Sequence, residues 1–316
     1  MLKANGTKIG YKFIPSETLP ADLPISAPLT FAFIGEGLVL IKKKGANNRW
    51  GILGGELKAG ESWMEGLKRK AEEEAGVVID HISVIGYLPT NNGKAITPIT
   101  ISFVQEVKKK WRKSKTLARE HFSRKWAKKV LLDRIDNGQL AEIFNYVLAY
   151  WENQKYEYTF DFLEGNAPLA NIQNTGSNVF VKTSNNNFLI VRDFDEDFFS
   201  LPGGGCDIDE DGKACAIREV HEEAQVELKS IQLMGSIVVK VSKDGQVFST
   251  STQQRYLADA VEIHDFKVDP NDFDEKCYET VERKEVSFEL LGTEVKSLRN
   301  KTGEVILASL KRMIGT

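Results

Sequence analysis

The chain lacks several features that exported, membrane and zinc-binding proteins carry. Its 316 residues include only three cysteines, Cys206, Cys215 and Cys277, and no two of them form a C-x-x-C pair. The four histidines are scattered, without the spacing of a zinc site. We therefore expect free thiols in a reducing compartment, and we expect any bound metal to be a hard cation held by carboxylates.

Long apolar runs are missing as well. No stretch approaches the roughly 18 consecutive apolar residues of a membrane-spanning helix. The first residues, MLKANGTKIGYKF, hold neither an apolar core nor a cleavage signal for secretion. These absences predict a cytoplasmic location and no membrane partner, and the length is sufficient for two domains of ordinary size.

The chain does contain a spaced pattern of glycine, arginine and glutamate that occurs twice, 149 residues apart. The first copy reads Gly55, Glu61, Arg69, Glu73, Glu74 and Gly76. The second copy reads Gly204, Glu210, Arg218, Glu219, Glu222 and Glu223. One position differs in charge, because the first copy has Lys70 where the second has Glu219.

The match extends beyond this pattern at the same offset and without a gap. Phe31 aligns with Phe180, Leu40-Ile41 with Leu189-Ile190, Lys43 with Arg192, and Trp50 with Phe199. Solenoid repeats recur about every 20–50 residues, so a period this long indicates two whole domains. We place these domains at residues 1–154 and 155–316.

Both copies predict the same order of elements. An apolar hairpin comes first, at residues 29–43 and 178–192, and a glycine-rich loop follows it. A helix is expected next, at residues 64–75 and 213–224, and further strands come after the helix. Strands and helices mixed in this way predict an α/β fold with a sheet covered by helices.

The end of the first copy shows a change of period. A stripe at helical spacing predicts a closing helix, with Leu140, Ile143, Phe144, Val147, Leu148 and Trp151 on one face. Alternating aromatics then predict a half-buried strand, with Tyr156, Tyr158, Phe160 and Phe162 on one side. We take this strand as the start of the second domain.

Three glutamates of the second copy point to a cation site. Glu219, Glu222 and Glu223 lie at positions i, i+3 and i+4 of the predicted helix and so face one direction. Like charges at this spacing repel one another, whereas a divalent cation binds several carboxylate oxygens at once. Mg²⁺ suits such a set because it bridges protein carboxylates to substrate phosphates.

Other residues of the second copy are candidates for positioning and substrate binding. Arg218 is expected to orient a glutamate and Glu210 to brace the turn into the helix. Gly203 and Gly204 allow the backbone to approach a phosphate closely. Arg192 ends a strand, where a basic side chain either contacts a phosphate or is simply solvated. Phe199, beside the glycines, either stacks on a base or packs into the core.

The second copy, Gly204-x5-Glu210-x7-Arg218-Glu219-Val220-x-Glu222-Glu223-x-Gln225-Val226, resembles the Nudix box. The preceding Leu201-Pro202-Gly203-Gly204 is similar to the usual start of that box. One departure is Gln225, which stands where the box has a glycine with positive φ. Either Gln225 adopts that conformation at a cost of about 1 kcal/mol, or the helix ends differently. The resemblance implies an α/β protein of two tandem Nudix-like α/β/α sandwiches with mixed β-sheets.

The resemblance also implies an activity and a site. It implies Mg²⁺- or Mn²⁺-dependent hydrolysis of a nucleoside diphosphate linked to another group. Glu219, Glu222 and Glu223 would then bind the metal, with Arg218 and Glu210 completing the catalytic set. Family members often add a glutamate from a later loop, and Glu279 and Glu282 are the candidates in this chain.

The first copy fits the box except at Lys70. Its ammonium lies on the helical face of Glu73 and Glu74, where it can pair with a carboxylate and take the space of a cation. We therefore expect the first copy to have lost most of its catalysis and to serve structure, substrate binding or regulation. The working site is expected in residues 178–316.

A second interpretation is a Nudix-like protein that binds RNA or a nucleotide without turnover. Residues 108–129 hold eleven Lys or Arg and one acid, interleaved with Trp111, Phe122 and Trp126. Such a stretch is either a polyanion-binding patch or a solvated, lysine-rich helix with its aromatics in the core. The intact acidic set favours the enzyme. Two fused copies either imitate a homodimer or dimerise further.

Overall fold

The fold is described from a computed structural model of the chain. The structure describes residues 12–44, 49–109, 111, 116–132, 139–194, 196–267 and 280–315. These residues form two compact units, one comprising 1–158 with 240–250 and the other comprising 159–239 with 251–316. The predicted domain boundary near residue 154 stays a prediction. Within the described ranges, no helix is both long and apolar enough to cross a membrane.

The first copy of the repeat contains one sheet and three helices among its described residues. Its strands are β1 (Ile14–Pro15), β2 (Leu29–Ile34), β3 (Gly37–Lys43), β4 (Trp50–Gly51), β5 (Leu53–Gly54), β6 (Val77–Thr90), β7 (Ala95–Val107) and β8 (Thr116–Ser123). Its helices are α1 (Trp63–Ala75), α2 (Arg124–Leu132) and α3 (Gln139–Asn153). The predicted hairpin, box helix and closing helix are confirmed, with bounds that differ by one or two residues.

The second copy repeats this plan. Its strands are β9 (Glu157–Glu164), β10 (Asn174–Lys182), β11 (Phe188–Asp193), β12 (Gly203–Gly205), β13 (Val226–Lys243), β14 (Gln246–Ile263) and β15 (Thr280–Val286). Its helices are α4 (Gly212–Ala224), α5 (Phe288–Glu294) and α6 (Lys301–Ile314). The strand predicted from the alternating aromatics is β9, although Phe160 on it is exposed instead of half-buried.

Both sheets are mixed, as expected. The first has the order β1-β6-β7-β2-β3-β4, with β5 paired to β2 and β8 to β3. The second has the order β15-β11-β10-β14-β13-β9, with β12 paired to β10. The pairs β2 with β7 and β10 with β14 are parallel, whereas the hairpins β2–β3 and β10–β11 are antiparallel. The α/β fold class is therefore confirmed.

Helices cover both faces of the second sheet because side chains alternate along its strands. Val179 and Val181 of β10 pack with Ala216 and Val220 of α4. Phe188 of β11 points to the other face, where its ring lies 6.5 Å from that of Phe288 in α5. The result is a sheet between two helical layers.

The tip of the β13–β14 hairpin, residues 240–250, belongs to the first unit. The Phe248 ring lies 4.5 Å from the His81 ring and 5.0 Å from the Phe103 ring, measured between centroids. Ser249 Oγ donates to the carbonyl oxygen of Val104. The first unit is therefore built from two separate segments of chain.

The basic stretch at 108–129 is not one helix, so that expectation is wrong. Residues 116–123 form β8, which pairs with β3, and α2 is the helical part of what the structure describes there. Arg119 is buried and donates to the carbonyl of Ala75 at the end of α1. Phe122 lies in the core as expected, whereas the side chain of Trp126 lies outside the part that the structure describes.

The two copies do not follow an ungapped register. Phe33 pairs with Leu38 in the first hairpin, whereas Lys182, its equivalent at the 149 offset, pairs with Phe188. Ile41 pairs with Gly51, and Val191 correspondingly bridges Ser200. The hairpin loop of the second copy thus has one extra residue, and the segment before Phe199 has one fewer.

The corrected register changes the equivalences within β3 and β11. Leu40-Ile41 corresponds to Ile190-Val191, and Arg192 corresponds to Lys42, not to Lys43. The ring contacts agree, because Lys42 Nζ lies 4.6 Å from the Trp50 ring centroid and Arg192 Cζ lies 6.0 Å from that of Phe199. Lys43 therefore corresponds to Asp193.

Gln225 ends α4 in the left-handed conformation, with φ 52° and ψ 51°, as Gly76 ends α1. Its side chain compensates for the unfavourable backbone. Gln225 Nε2 donates to the Lys267 carbonyl at 2.7 Å, and the Lys267 amide donates to Gln225 Oε1 at 3.0 Å. Glutamine thus retains the turn and fastens a later segment to it.

We predict that the free energy of unfolding is highest for the wild type, lower for Gln225→Gly and lowest for Gln225→Ala. Alanine loses both hydrogen bonds and keeps the left-handed backbone, so it costs about 1–3 kcal/mol in free energy of unfolding. Glycine loses the same bonds but removes the strain of about 1 kcal/mol. Urea unfolding measures the order, and an alanine variant as stable as the wild type would contradict it.

Candidate metal and active site

Arg218 holds the loop before α4 to the helix. Its Nε and Nη2 donate to the two carboxylate oxygens of Glu210 at 3.0 and 2.8 Å. Its Nη2 also donates to the carbonyl oxygen of Gly205 at 3.0 Å. Two hydrogen bonds to one carboxylate fix the guanidinium plane, so Glu210 braces the loop as predicted.

The same guanidinium contacts two of the predicted metal ligands. Arg218 Nη1 donates to Glu219 Oε1 at 2.7 Å and to Glu222 Oε2 at 3.0 Å. Glu223 lies apart from it and accepts from the Gly203 amide at 2.9 Å. Among the described residues, the three glutamates do not bring one oxygen each within 4.8 Å of one another. Arg218 takes the position between Glu219 and Glu222.

Two glycines of β12 permit this arrangement. A Cβ on Gly204 would lie 2.5 Å from Glu219 Oε2, so the carboxylate packs directly over the glycine Cα. Gly203 has φ 141° and a Cβ there would lie 2.2 Å from the Ser177 carbonyl oxygen. The glycines therefore make room for protein groups, and their predicted contact with a substrate phosphate stays a prediction.

Two of the carboxylates are buried in a way that disfavours their charge. Burial raises the pKa of Glu219 to about 7, although the Arg218 charge opposes the shift. Burial and the nearby charge of Glu219 raise the pKa of Glu223 well above its usual range. The Arg218 guanidinium therefore compensates part of the charge of Glu219.

The first copy builds the same clamp. Arg69 Nε and Nη2 donate to Glu61 at 2.6 and 2.7 Å, Nη1 donates to Glu73 at 2.9 Å, and Nη2 donates to the Glu56 carbonyl. The hydrogen bonds from Arg69 and from the Lys58 amide lower the pKa of Glu61 to about 2. The loop and helix geometry of the box is therefore common to both copies.

The copies differ in the cations near the acidic set. The Lys70 side chain lies against Gly55, where an added Cβ would be 3.4 Å from Lys70 Cε. Lys43 Nζ lies 2.8 Å from Glu74 Oε1 and donates to the Gly54 carbonyl at 3.1 Å. The ion pair with Glu74 is thus made by Lys43, and among the described residues Lys70 makes no ion pair with it.

Asp193 is the residue that sequence reasoning missed. It occupies the strand position of Lys43, and its charge contributes to the raised pKa of Glu223. Its Oδ1 accepts from the Thr280 hydroxyl at 3.3 Å. Where the first copy has an ammonium beside Glu74, the second has another carboxylate near Glu223. Allowing for the one-residue insertion in the hairpin loop would have found it.

The other predicted residues lie near the glycine-rich segment. Arg192 donates to Glu282 Oε2 through Nε and Nη2 at 3.1 and 2.8 Å, so it is ion-paired instead of solvated. Lys284 Nζ lies 3.9 Å from the Phe199 ring centroid and covers that face of the ring. Phe199 itself is half-buried. Glu279 lies outside the described residues.

The expectation of free thiols is wrong for two cysteines. Cys206 and Cys215 form a disulfide, and Cys277 lies outside the described residues. Glu210 has an oxygen within 4.8 Å of both sulfurs. This group does not fit a metal, since the sulfurs are bonded to each other and Glu210 is engaged by Arg218.

The second copy fits a hard divalent cation and the first does not. Its donor set is made of carboxylate oxygens, which Mg²⁺ and Mn²⁺ prefer. Two members are buried with raised pKa values, so a cation would relieve an unfavourable local charge. In the first copy, lysines stand at the positions of Glu219 and Asp193.

The raised pKa of Glu219 predicts a pH-dependent stability in metal-free protein. Between its ordinary pKa of 4.5 and about 7, the folded state holds a proton that the unfolded state has lost. Stability then falls as pH rises through this window, by up to about 1.4 kcal/mol per pH unit. Glu219→Gln removes this loss, so its stability relative to wild type increases from pH 4.5 to 7.

Urea unfolding with a chelator present measures both proteins at each pH. Glu61→Gln is the matched control in the first copy, because the Glu61 pKa is lowered instead of raised. Its stability relative to wild type is expected to decrease as pH rises from about 2 to 4.5 and not to increase above it. A pH-independent difference between Glu219→Gln and wild type would contradict the account.

Among curated proteins, no relative matches the chain. Three solved structures illustrate its structural neighbours. A mutant of the Bacillus subtilis pyrophosphohydrolase BsRppH is 18% identical, covers 49% of this chain and 92% of its own, and has a TM-score of 0.38. A NUDIX hydrolase from Nitrosomonas europaea is 14% identical, with coverages of 44% and 89% and a TM-score of 0.33.

The third neighbour is a binary complex of the Ap4A hydrolase from C. elegans. It is 13% identical, covers 40% of this chain and 99% of its own, and has a TM-score of 0.33. These values carry no argument about substrate or mechanism. The family profile of the NUDIX domain, by contrast, matches residues 27–131 and 174–300, which is most of the chain. The chain therefore belongs to the NUDIX domain family, carries that domain twice, and is by class a Nudix hydrolase.

Proposed function

We propose that this protein hydrolyses a phosphoric anhydride bond in a nucleoside diphosphate derivative, that it requires Mg²⁺ or Mn²⁺, and that the second copy performs the catalysis. The observation that carries the proposal is the charge difference between two otherwise matching clamps. The first copy has Lys43 and Lys70 where the second has Asp193 and Glu219. In the first copy, lysines compensate the negative charge, so the site has no need of a metal cation. The second copy lacks these lysines, so its site does need one.

Each residue of the second copy has a proposed role. Glu219, Glu222 and Glu223 would hold the cation, and Glu222 is the most exposed of them. Glu219 and Glu222 would have to exchange their hydrogen bonds with Arg218 for the cation, while Glu210 would retain the guanidinium. Gly203 fixes Glu223 through its amide. The bound cation would activate a water and offset charge on the phosphate.

We also propose a general base, Glu282, and a group that stacks on the nucleotide base, Phe199. Glu282 is held by Arg192, so it acts as a base only if that ion pair opens. Arg192 then becomes free to contact a phosphate, which links the two predicted roles. Stacking of a substrate base on Phe199 requires its ring to be uncovered, because Lys284 Nζ and Arg192 Cζ both lie near it.

The non-catalytic alternative gains little support from the basic stretch. Arg119 is buried within it and caps α1, so it is unavailable to a polyanion. The proposed partner is a nucleotide-derived small molecule, and nucleic acid is the less favoured ligand. A cytoplasmic location and a homodimer stay predictions from the sequence.

We predict that Glu222→Gln and Glu219→Gln lower kcat on the order of 1,000-fold, since each removes a cation ligand. Glu73→Gln, the first-copy counterpart of Glu222→Gln, is expected to leave kcat within about twofold. The measurement is phosphate-product release with Mg²⁺ or Mn²⁺ from a panel of nucleoside diphosphate derivatives, with circular dichroism as a folding control. Equal losses in both copies would contradict the assignment.

We also predict that the two lysines alone exclude a cation from the first copy. Lys43→Asp with Lys70→Glu restores the acids of the second copy and should add one class of Mn²⁺ sites. Asp193→Lys with Glu219→Lys is the reciprocal change and should remove the sites of the second copy. Electron paramagnetic resonance of free Mn²⁺ counts bound ions in each variant. An unchanged number in both would show that these charges do not control binding.

A further inference from the structure

The Cys206–Cys215 disulfide closes the loop that leads into α4. Cys206 directly follows β12, and Cys215 lies in the first turn of the helix, nine positions later. Both residues are buried. The bond therefore joins the glycine-rich segment to the helix that bears the acidic set.

The loop between the two sulfurs carries Glu210. Glu210 accepts from the Asp207 amide at 3.2 Å and from Arg218 through both oxygens. Arg218 in turn contacts Glu219 and Glu222, and its Nη2 lies 4.0 Å from Cys215 Sγ. A movement of the loop would therefore move Glu219 and Glu222, because Arg218 contacts both of them and Glu210.

The first copy achieves the same loop without sulfur. The counterparts of Cys206 and Cys215 are Leu57 and Gly66, at the offset of 149 that holds for β12 and α4. A Cβ on Gly66 would lie 2.2 Å from Leu57 Cδ2, so the leucine side chain packs directly over the glycine. The loop geometry therefore does not require a covalent bond, and the second copy has in addition a disulfide that can be reduced.

The surroundings of Cys206 accommodate a thiol as well as a disulfide. Asn174 Nδ2 lies 3.1 Å from Cys206 Sγ, and Ser177 Oγ lies 3.3 Å from it. Asn174 Oδ1 is buried and has no hydrogen-bond partner among the residues that the structure describes. Rotation of this amide would offer its unpaired acceptor to the S–H of a reduced Cys206.

We propose that Cys206 and Cys215 are a redox modification site that sets the mobility of the loop carrying Glu210. A thiolate of a dithiol attacks one sulfur, which forms a mixed disulfide and frees the other cysteine. The second thiol of the reagent then attacks the mixed disulfide, so the reagent leaves as a cyclic disulfide and the second cysteine is freed. The two hydrogens of the dithiol end on Cys206 and Cys215. In a reducing compartment, protein disulfides are typically transient or redox-sensing. The consequence for catalysis rests on the proposed function.

Other contacts hold the loop in the folded unit after reduction, so that only its mobility increases. Gln173 Nε2 donates to the Ile208 carbonyl at 3.3 Å, and Ser177 Oγ donates to the Gly212 carbonyl at 2.9 Å. These bonds do not involve sulfur, so they persist in the reduced protein. Reduction should therefore lower hydrolysis without unfolding the unit.

The test compares oxidised and dithiothreitol-reduced protein in a Cys277→Ser background, which leaves two cysteines. Maleimide labelling and mass spectrometry should count no free thiol before reduction and two after it. Amide exchange at residues 207–213, measured with a chelator present, should become about tenfold faster on reduction. The kcat should fall about tenfold and recover on reoxidation.

The control converts the pair to that of the first copy. Cys206→Leu with Cys215→Gly should retain slow exchange at residues 207–213 and should not respond to dithiothreitol. Free thiols in the oxidised protein, a bond that resists reduction in the folded state, or equal exchange in both states would overturn the proposal. A redox-dependent exchange without hydrolysis in either state would support the redox site and refute the proposed function.

Discussion

The ion pair between Arg218 and Glu210 is the constraint on which the rest of the site depends. It holds the loop before α4 against the helix with two hydrogen bonds to one carboxylate, and the same guanidinium contacts Glu219 and Glu222. The repetition of this pair as Arg69 and Glu61 shows that the box is first a structural device. Both copies retain that device.

Chemistry enters through charges added to this common frame. In the second copy, burial and the charges of neighbouring carboxylates raise the pKa values of Glu219 and Glu223, so these carboxylates destabilise the folded state when no cation compensates them. In the first copy, Lys43 forms an ion pair with Glu74, which is the counterpart of Glu223. The two copies thus differ by two charge reversals on one scaffold.

The sequence was sufficient for the fold and for the acidic set, because glycines, helical spacing and apolar stripes are local signals. It was insufficient for aligning the residues of β3 with those of β11. One extra residue in the second hairpin loop is balanced by one fewer before Phe199, so both ends of an ungapped alignment match. A shift by one leaves no trace within β3, since Leu40 and Ile41 are buried on opposite faces of the sheet.

That shift concealed Asp193, whose equivalence to Lys43 became visible only from strand pairing. The disulfide was concealed for another reason, since cysteine pairing does not follow from spacing alone. The basic stretch misled because β8 lies within it, and on that strand Arg119 and Phe122 are both buried. In each case, long-range contacts decided what local composition left open.

The central claim is that only the second copy holds a catalytic divalent cation. The most direct test is anomalous diffraction from crystals of the full chain soaked in Mn²⁺. The account predicts peaks beside Glu219, Glu222 and Glu223, and none beside Lys43 and Lys70. A peak bound by Glu73 and Glu74 of the first copy, with the second copy empty, would contradict it.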